Sequence, residues 1–187
     1  FLMGRSEAGK TSLTQILSGE ELHYHKTQYT NTGTDIIDSP GEYSETKRCG
    51  LGLACCALNP GLINRAAILY PFLSDFKLVW DLGADEIAYE GIRYYARWFD
   101  ADEHQQDRWF RQLGYIDSKN FATLVQCPVL FGTGLEDVIC PPQTQCAVYN
   151  NLHCKKKRYL FPGYGHEEIA EFDDMLLDFF CKEEAVL

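Results

Sequence analysis

A chain of 187 residues with 45% hydrophobic content can bury a core of its own, which excludes an intrinsically disordered segment. Its 27 acidic against 17 basic residues leave a formal net charge of -10, which argues against any non-specific hold on nucleic acid or on an anionic membrane. No stretch approaches the roughly 18 to 20 apolar residues of a membrane span. Arg5, Glu7 and Lys10 interrupt any secretory apolar region, so a cytoplasmic protein is expected.

Phe1 to Gly4 reads as the end of a strand whose beginning lies before Phe1. Lys10 to Ser18 repeats apolar residues at Leu13, Ile16 and Leu17, with Gly19 as a C-cap. The order is strand, glycine-rich turn, helix. Residues 20 to 33 are polar, and Thr34 to Ile37 is a short strand ending at Asp38-Ser39-Pro40-Gly41. From Gly50 the texture changes, with a small-residue helix through Leu58 and an apolar strand at Arg65 to Tyr70.

A long helical region follows from about Ser74 to Val125. It carries Tyr94, Tyr95, Trp98, Phe99, Trp109 and Phe110, which are expected to serve packing, with the lining of a pocket as the alternative for some of them. Asp117 is placed to cap a helix that begins at Ser118. Pro128 to Thr133 is a buried strand, Pro141 to Asn150 a helix with proline in its first turn, Arg158 to Phe161 a strand, and Glu167 to Cys181 the closing helix. The basic run from Lys155 to Arg158 reads as a solvated strand entrance. Strands alternating with helices imply a parallel sheet. The strand at Thr34 to Ile37 is expected to lie beside Arg65 to Tyr70, because an unpaired apolar strand edge is costly.

Eight cysteines, at 49, 55, 56, 127, 140, 146, 154 and 181, show neither a C-x-x-C pair nor zinc spacing. Most lie among apolar neighbours, so reduced thiols are expected.

Gly4-Arg5-Ser6-Glu7-Ala8-Gly9-Lys10-Thr11 fits G-x-x-x-x-G-K-S/T at every fixed position, between a strand and a helix as the mechanism requires. Gly4 and Gly9 free the backbone N–H groups to surround phosphate, and the helix N-terminus adds its positive dipole end. Lys10 neutralises the outer phosphates, and Thr11 can ligate Mg²⁺. Asp38 and Gly41 supply a D-x-x-G, the carboxylate for Mg²⁺ and the glycine amide for the γ-phosphate. A plain glycine-rich turn is the alternative. Residues 1 to 43, with Glu-Glu-Leu-His-Tyr-His-Lys-Thr-Gln and Ile-Asp-Ser-Pro-Gly-Glu-Tyr besides the P-loop, resemble the start of the small P-loop proteins of ethanolamine and propanediol utilisation. The resemblance implies purine nucleotide binding. No N/T-K-x-D guanine reader follows in residues 44 to 187.

From Cys49 onwards the chain resembles the acetyl xylan esterase and cephalosporin-C deacetylase family. The segments that carry this are Gly50-Leu51-Gly52-Leu53-Ala54 with Ala57-Leu58-Asn59-Pro60, Tyr70-Pro71-Phe72-Leu73-Ser74-Asp75-Phe76, and Leu113-Gly114-Tyr115-Ile116-Asp117 with Asn120-Phe121-Ala122. They continue at Gly134-Leu135-Glu136-Asp137-Val138-Ile139-Cys140-Pro141-Pro142, Tyr149-Asn150-Asn151 and Phe161-Pro162-Gly163-Tyr164-Gly165-His166-Glu167. The resemblance implies hydrolysis of small acetylated esters without a cofactor, and a homo-oligomer.

In an α/β-hydrolase the triad runs serine, acid, histidine along the chain, the acid after one strand and the histidine after the next. Asp137 and His166 stand in those places. Asp137 orients and stabilises the imidazolium, and His166 is general base and then general acid. The alternative is that each merely caps the helix that follows it. The family's G-x-S-Q-G-G puts its serine on Thr46 and its glutamine on Lys47, with Arg48 and Cys49 in place of glycines. Ser44 and Cys49 are the other nucleophiles close by.

The fold expected is α/β, an open and mostly parallel sheet with flanking helices. It divides into a partial P-loop βαβ unit over residues 1 to 45 and a partial α/β-hydrolase over residues 46 to 187. Three functional readings stand: an esterase-family chain inactive for want of its serine, a Mg-nucleotide-binding module, and a fused product with no function.

Overall fold

The computed structural model describes residues 31–32, 37–38 and 48–181, apart from 73, 85, 87, 88 and 103. The P-loop at residues 4–11, Gly41 and Thr46 lie outside the described residues, and Asp38 is described in its backbone alone.

β1 (Asn31–Thr32) and β2 (Ile37–Asp38) pair antiparallel, Asn31 opposite Asp38 and Thr32 opposite Ile37. This corrects the expectation that the strand ending at Ile37 joins the main sheet beside Arg65 to Tyr70. The physical reason is proximity along the chain: β1 is separated from β2 by residues 33–36 alone, so its loop-closure cost is far below that of reaching past the helix to residue 66.

α1 (Arg48–Leu58) leads into β3 (Ala66–Leu69). Among the described residues the long helical region comprises four short helices, α2 (Phe76–Asp81), α3 (Glu90–Phe99), α4 (Gln106–Leu113) and α5 (Ser118–Ala122). Then come β4 (Val129–Gly134), α6 (Pro142–Asn151), β5 (Lys156–Phe161) and α7 (Ala170–Cys181). β3, β4 and β5 form a parallel sheet in that order, and β3 pairs only with β4 among the described residues.

The sheet is covered on both faces, as parallel sheets require. Because side chains alternate along a strand, Ala66, Ile68, Val129 and Phe131 enter one core with Leu53 and Ala57 of α1, Ala122 of α5 and Val148 of α6. Leu130 points the other way, into a second core with Phe161, Ile169, Phe172 and Phe179. Burial of β4 is complete on both faces, which is why its sequence is an unbroken run rather than an alternation.

The basic run stands at the entrance of β5, with Lys155 and Lys157 exposed and Lys156 and Arg158 part-buried. Lys156 Nζ donates to the carbonyls of Tyr149 and Leu152 at 2.6 Å, satisfying the last turn of α6, and the Arg158 guanidinium lies 4.7 Å from the Tyr149 ring centroid.

The aromatic residues pack against one another but differ in burial. Trp109 is buried, but Tyr94, Tyr95, Trp98 and Phe99 are between 44% and 65% exposed. They stack on one another along α3, Tyr95 on Phe99 at 5.3 Å, because only Ala96 of that helix is buried and the i, i+4 partners lie on its outer face.

Asp117 does more than cap α5. Its Oδ1 accepts from Lys119 N at 2.9 Å and from Asp75 N at 2.8 Å, and its Oδ2 accepts from Phe76 N at 3.2 Å, so one buried carboxylate closes the N-termini of α5 and α2 together. Asp117→Ala leaves those three donors unmatched and should cost about 2–4 kcal/mol in urea unfolding, with Asp117→Asn losing less. A loss within experimental error for the alanine variant would contradict this role.

Candidate active site

β4 and β5 run parallel and in register from Val129 opposite Lys156 to Gly134 opposite Phe161, so their C-terminal loops leave the sheet side by side. Two backbone bonds tie these loops together: Leu135 N donates to Phe161 O at 3.2 Å and Glu136 N to Tyr164 O at 2.9 Å. Gly134 makes that approach possible. A Cβ there would stand 2.5 Å from Gly165 O and 2.7 Å from Tyr164 O, both backbone atoms that cannot swing aside.

The outcome is a direct contact between the two residues singled out from the sequence. His166 Nδ1 is 2.8 Å from Asp137 Oδ2. The Asp137 side chain is completely buried and that of His166 is 14% exposed. Asp137 accepts three further bonds, from Ile139 N at 2.9 Å and Cys140 N at 2.7 Å to Oδ1, and from Gln145 Nε2 at 3.1 Å to Oδ2. Four hydrogen-bond contacts thus fill the carboxylate without exposure to water.

The helix-capping alternative for Asp137 is ruled out on geometry. The N-cap of α6 is Pro141, and Asp137 bonds the loop residues before it. As an ionised carboxylate only accepts, Nδ1 of His166 carries the proton and Nε2 is left as the basic nitrogen of the neutral ring.

Three neighbours fix the pair, and none of them carries a signature in the sequence. Gln145 is fully buried and donates also to Cys140 O at 2.6 Å, tying α6 to the acid loop. Tyr70, at the end of β3 with φ +54°, sets its ring 4.9 Å from the imidazole. That left-handed backbone is unusual for a residue other than glycine, a kind of strain that recurs at functional sites. Tyr89 donates its hydroxyl to Ile139 O at 2.6 Å, and burial, with Cys140 and Asp137 nearby, pushes its phenol well above the usual range, so it stays a neutral donor. Only a pattern of Tyr-Pro after one strand and Pro-Pro-Gln after another lies there to be read, and neither has a chemical meaning by itself.

Asp137, Cys140 and His166 present an oxygen, a sulfur and a ring nitrogen within 4.8 Å of one another, a donor set of the kind a metal ion uses. The carboxylate is already saturated by four N–H groups, and a cation would have to displace them, so the geometry is that of a hydrogen-bonded pair. Cys140 is 1% exposed and offers no surface to a substrate.

α1 begins at the same edge of the sheet. Gly50, in its first turn, abuts the stretch just beyond β3, where a Cβ would fall 2.3 Å from Phe72 O. Thr46 precedes this helix by two residues in the chain and lies outside the described residues. No helix of the described residues is long and apolar enough to cross a membrane.

Comparison with known proteins gives two overlapping matches. The family model for acetyl xylan esterase (AXE1) matches residues 42–183, and that for ethanolamine utilisation - propanediol utilisation matches residues 1–68. Acetyl xylan esterase 1 from Thermoanaerobacterium sp. JW/SL YS485 is similar in structure at 44% identity and a TM-score of 0.68, covering 70% of this chain and 41% of that one. The acetyl xylan esterase from Paenibacillus sp. R4 is similar at 30% identity and a TM-score of 0.66, with the same 70% and 41% covered. The propanediol utilization protein PduV of Citrobacter freundii is 54% identical over 80 residues, 41% of this chain and 53% of that protein. The chain thus spans about two fifths of the length of these esterases and about half of that propanediol utilization protein. With three strands of an α/β-hydrolase sheet, an acid and a histidine on successive loops, and a family match over most of its residues, the chain belongs to the acetyl xylan esterase family.

Proposed function

We propose that this chain carries the acid and base of a carboxylic-ester hydrolase site for acetylated sugars and other small acetyl esters, without the serine that such a site needs for turnover. The observation that supports it is the 2.8 Å contact between His166 Nδ1 and the fully buried Asp137 carboxylate.

In the reaction that this pair serves, Nε2 of His166 takes the proton of an attacking hydroxyl as that oxygen bonds to the acetyl carbon. It then gives the proton to the departing sugar oxygen. The second half repeats the exchange with water and releases acetate. Asp137 keeps the ring in the right tautomer throughout and balances the imidazolium charge in a buried setting where the attraction is strong.

What the chain places at the other end of the exchange is poor. Thr46 brings a β-branched carbon to a position that demands a sharp strand-to-helix turn, and Lys47, Arg48 and Cys49 replace the family's glutamine and glycines there. We place the boundary between the two segments before α1, since Leu53, Cys56 and Ala57 of that helix already belong to the hydrolase core.

Release of acetate from 4-nitrophenyl acetate should therefore be no faster with the purified chain than with its His166→Ala variant. A faster, His166-dependent release would contradict the account, and its disappearance in Thr46→Ala would identify threonine as the nucleophile.

A second reading concerns residues 1–43 and is favoured by the 54% identity to a propanediol utilization protein. Gly4 and Gly9 leave room for phosphate against the backbone, Lys10 supplies the ammonium, and Thr11 and Asp38 supply a hydroxyl and a carboxylate suited to Mg²⁺, with the Gly41 amide toward the terminal phosphate. The donor set fits a Mg-nucleotide. A bound nucleotide would supply only its phosphates and base as ligand, and no base reader follows in the chain. Binding should be weak, Mg²⁺-dependent and alike for guanine and adenine nucleotides in equilibrium dialysis, and lost in Lys10→Ala. Equal retention by that variant would rule the site out.

A further inference from the structure

α6 turns Thr144, Gln145 and Val148 inward, the spacing of a helix stripe that packs on a core. Thr144 is satisfied locally, its hydroxyl donating to Pro141 O at 2.8 Å, and Val148 is apolar. Gln145 is the exception, a fully buried polar side chain on a stripe that calls for an apolar one. Burying a primary amide is less favourable than burying a methionine of the same length, so the reason for it has to lie in its hydrogen bonds.

Those bonds are one-sided. Nε2 donates to Asp137 Oδ2 at 3.1 Å and to Cys140 O at 2.6 Å, which uses both of its protons, while the buried Oε1 meets no donor among the described residues. The amide gains nothing by turning over, since a flipped Oε1 would face a carboxylate oxygen and a carbonyl oxygen, both acceptors. Position 145 supplies two donors and leaves an acceptor unmatched.

The two donors close a ring around the acid. Cys140 N donates to Asp137 Oδ1 at 2.7 Å, Cys140 O accepts from Gln145, and Gln145 reaches back to Asp137 Oδ2. Oδ1 is held by its own loop, through the amides of Ile139 and Cys140. Oδ2 is held from outside that loop, by Gln145 of α6 and by His166 Nδ1. The last torsion of an aspartate is soft, so contacts at Oδ1 alone leave the plane of the carboxylate free to swing.

We infer that Gln145 is a positioning residue for the acid and base pair: its amide fixes the plane of the Asp137 carboxylate, and through that carboxylate the proton and orientation of the His166 ring.

Being fully buried, Gln145 meets no substrate and acts through Asp137. Without its donors, Oδ2 and the imidazole hold each other with no third group to set the angle between them. The inference rests on the acid and base reading proposed above and does not depend on turnover, so the imidazole itself is what has to be observed.

The test compares the full chain with Gln145→Met, which keeps the length of the side chain and removes both donors, by long-range ¹H–¹⁵N spectra and hydrogen exchange of the His166 ring. The parent should carry its proton on Nδ1, and Gln145→Met should weaken that preference and speed exchange of the proton by about tenfold or more. Val148→Ala, which opens the same stripe without touching the amide, should lower the urea midpoint and leave the Nδ1 preference intact. An unchanged ring in folded Gln145→Met overturns the inference, as does an equal loss of preference in Val148→Ala. A parent chain without a protonated Nδ1 overturns the acid and base reading itself and this inference with it. The parent decides even if Gln145→Met does not fold: both Nε2 protons of Gln145 should be protected from D₂O as the Ile139 and Cys140 amides are, and exchange at the rate of an exposed glutamine overturns the inference.

Discussion

The parallel pairing of β4 with β5 is the constraint on which the site depends. Parallel strands deliver their C-terminal loops to one edge, so the residues that follow Gly134 and Phe161 meet whatever else the chain does. The meeting is made close by the absence of a side chain at Gly134 and is completed by a buried carboxylate that needs donors. Asp137 finds four: two loop amides, a glutamine from α6 and the histidine from the neighbouring loop. Removing any one leaves a buried group short of a partner, which is why the loops, α6 and the imidazole behave as one unit.

This unit is self-contained in a way that the rest of an esterase site is not. The strands that aim Asp137 and His166 bring their own loops, their own cores on both faces of the sheet and their own closing helix. The turn before α1, by contrast, lies in the part of the chain that both family models match. Identity of fold and family does not by itself carry turnover, which rests on a site rather than on a fold.

Much of this was legible from residues alone, for physical reasons that can be named. The strand at Val129–Gly134 shows as an unbroken apolar run because it is buried on both faces, and Asp117 shows as a cap because its acceptor geometry is local. Asp137 and His166 were legible because chain order and strand ends fix their place. Gln145, Tyr70 and Tyr89 were not, since each reaches the site across tertiary distance with no spacing rule to mark it. The exposed aromatics of α3 defeat the rule that large rings go inside, and the pairing of β2 with β1 shows local closure prevailing over the demand of a distant strand edge. The basic run opens β5 with Lys155 and Lys157 exposed, while Lys156 satisfies carbonyls at the end of α6 and Arg158 lies over Tyr149, roles that a charge count does not reveal.

Whether the buried Asp137 carboxylate fixes the proton on one nitrogen of His166 is tested most directly by a long-range ¹H–¹⁵N correlation spectrum of the imidazole at neutral pH. The expected result is a protonated Nδ1 and an unprotonated Nε2 in the parent chain, with that preference lost in Asp137→Asn. A spectrum in which Nε2 carries the proton, or in which the asparagine variant is indistinguishable from the parent, would contradict it.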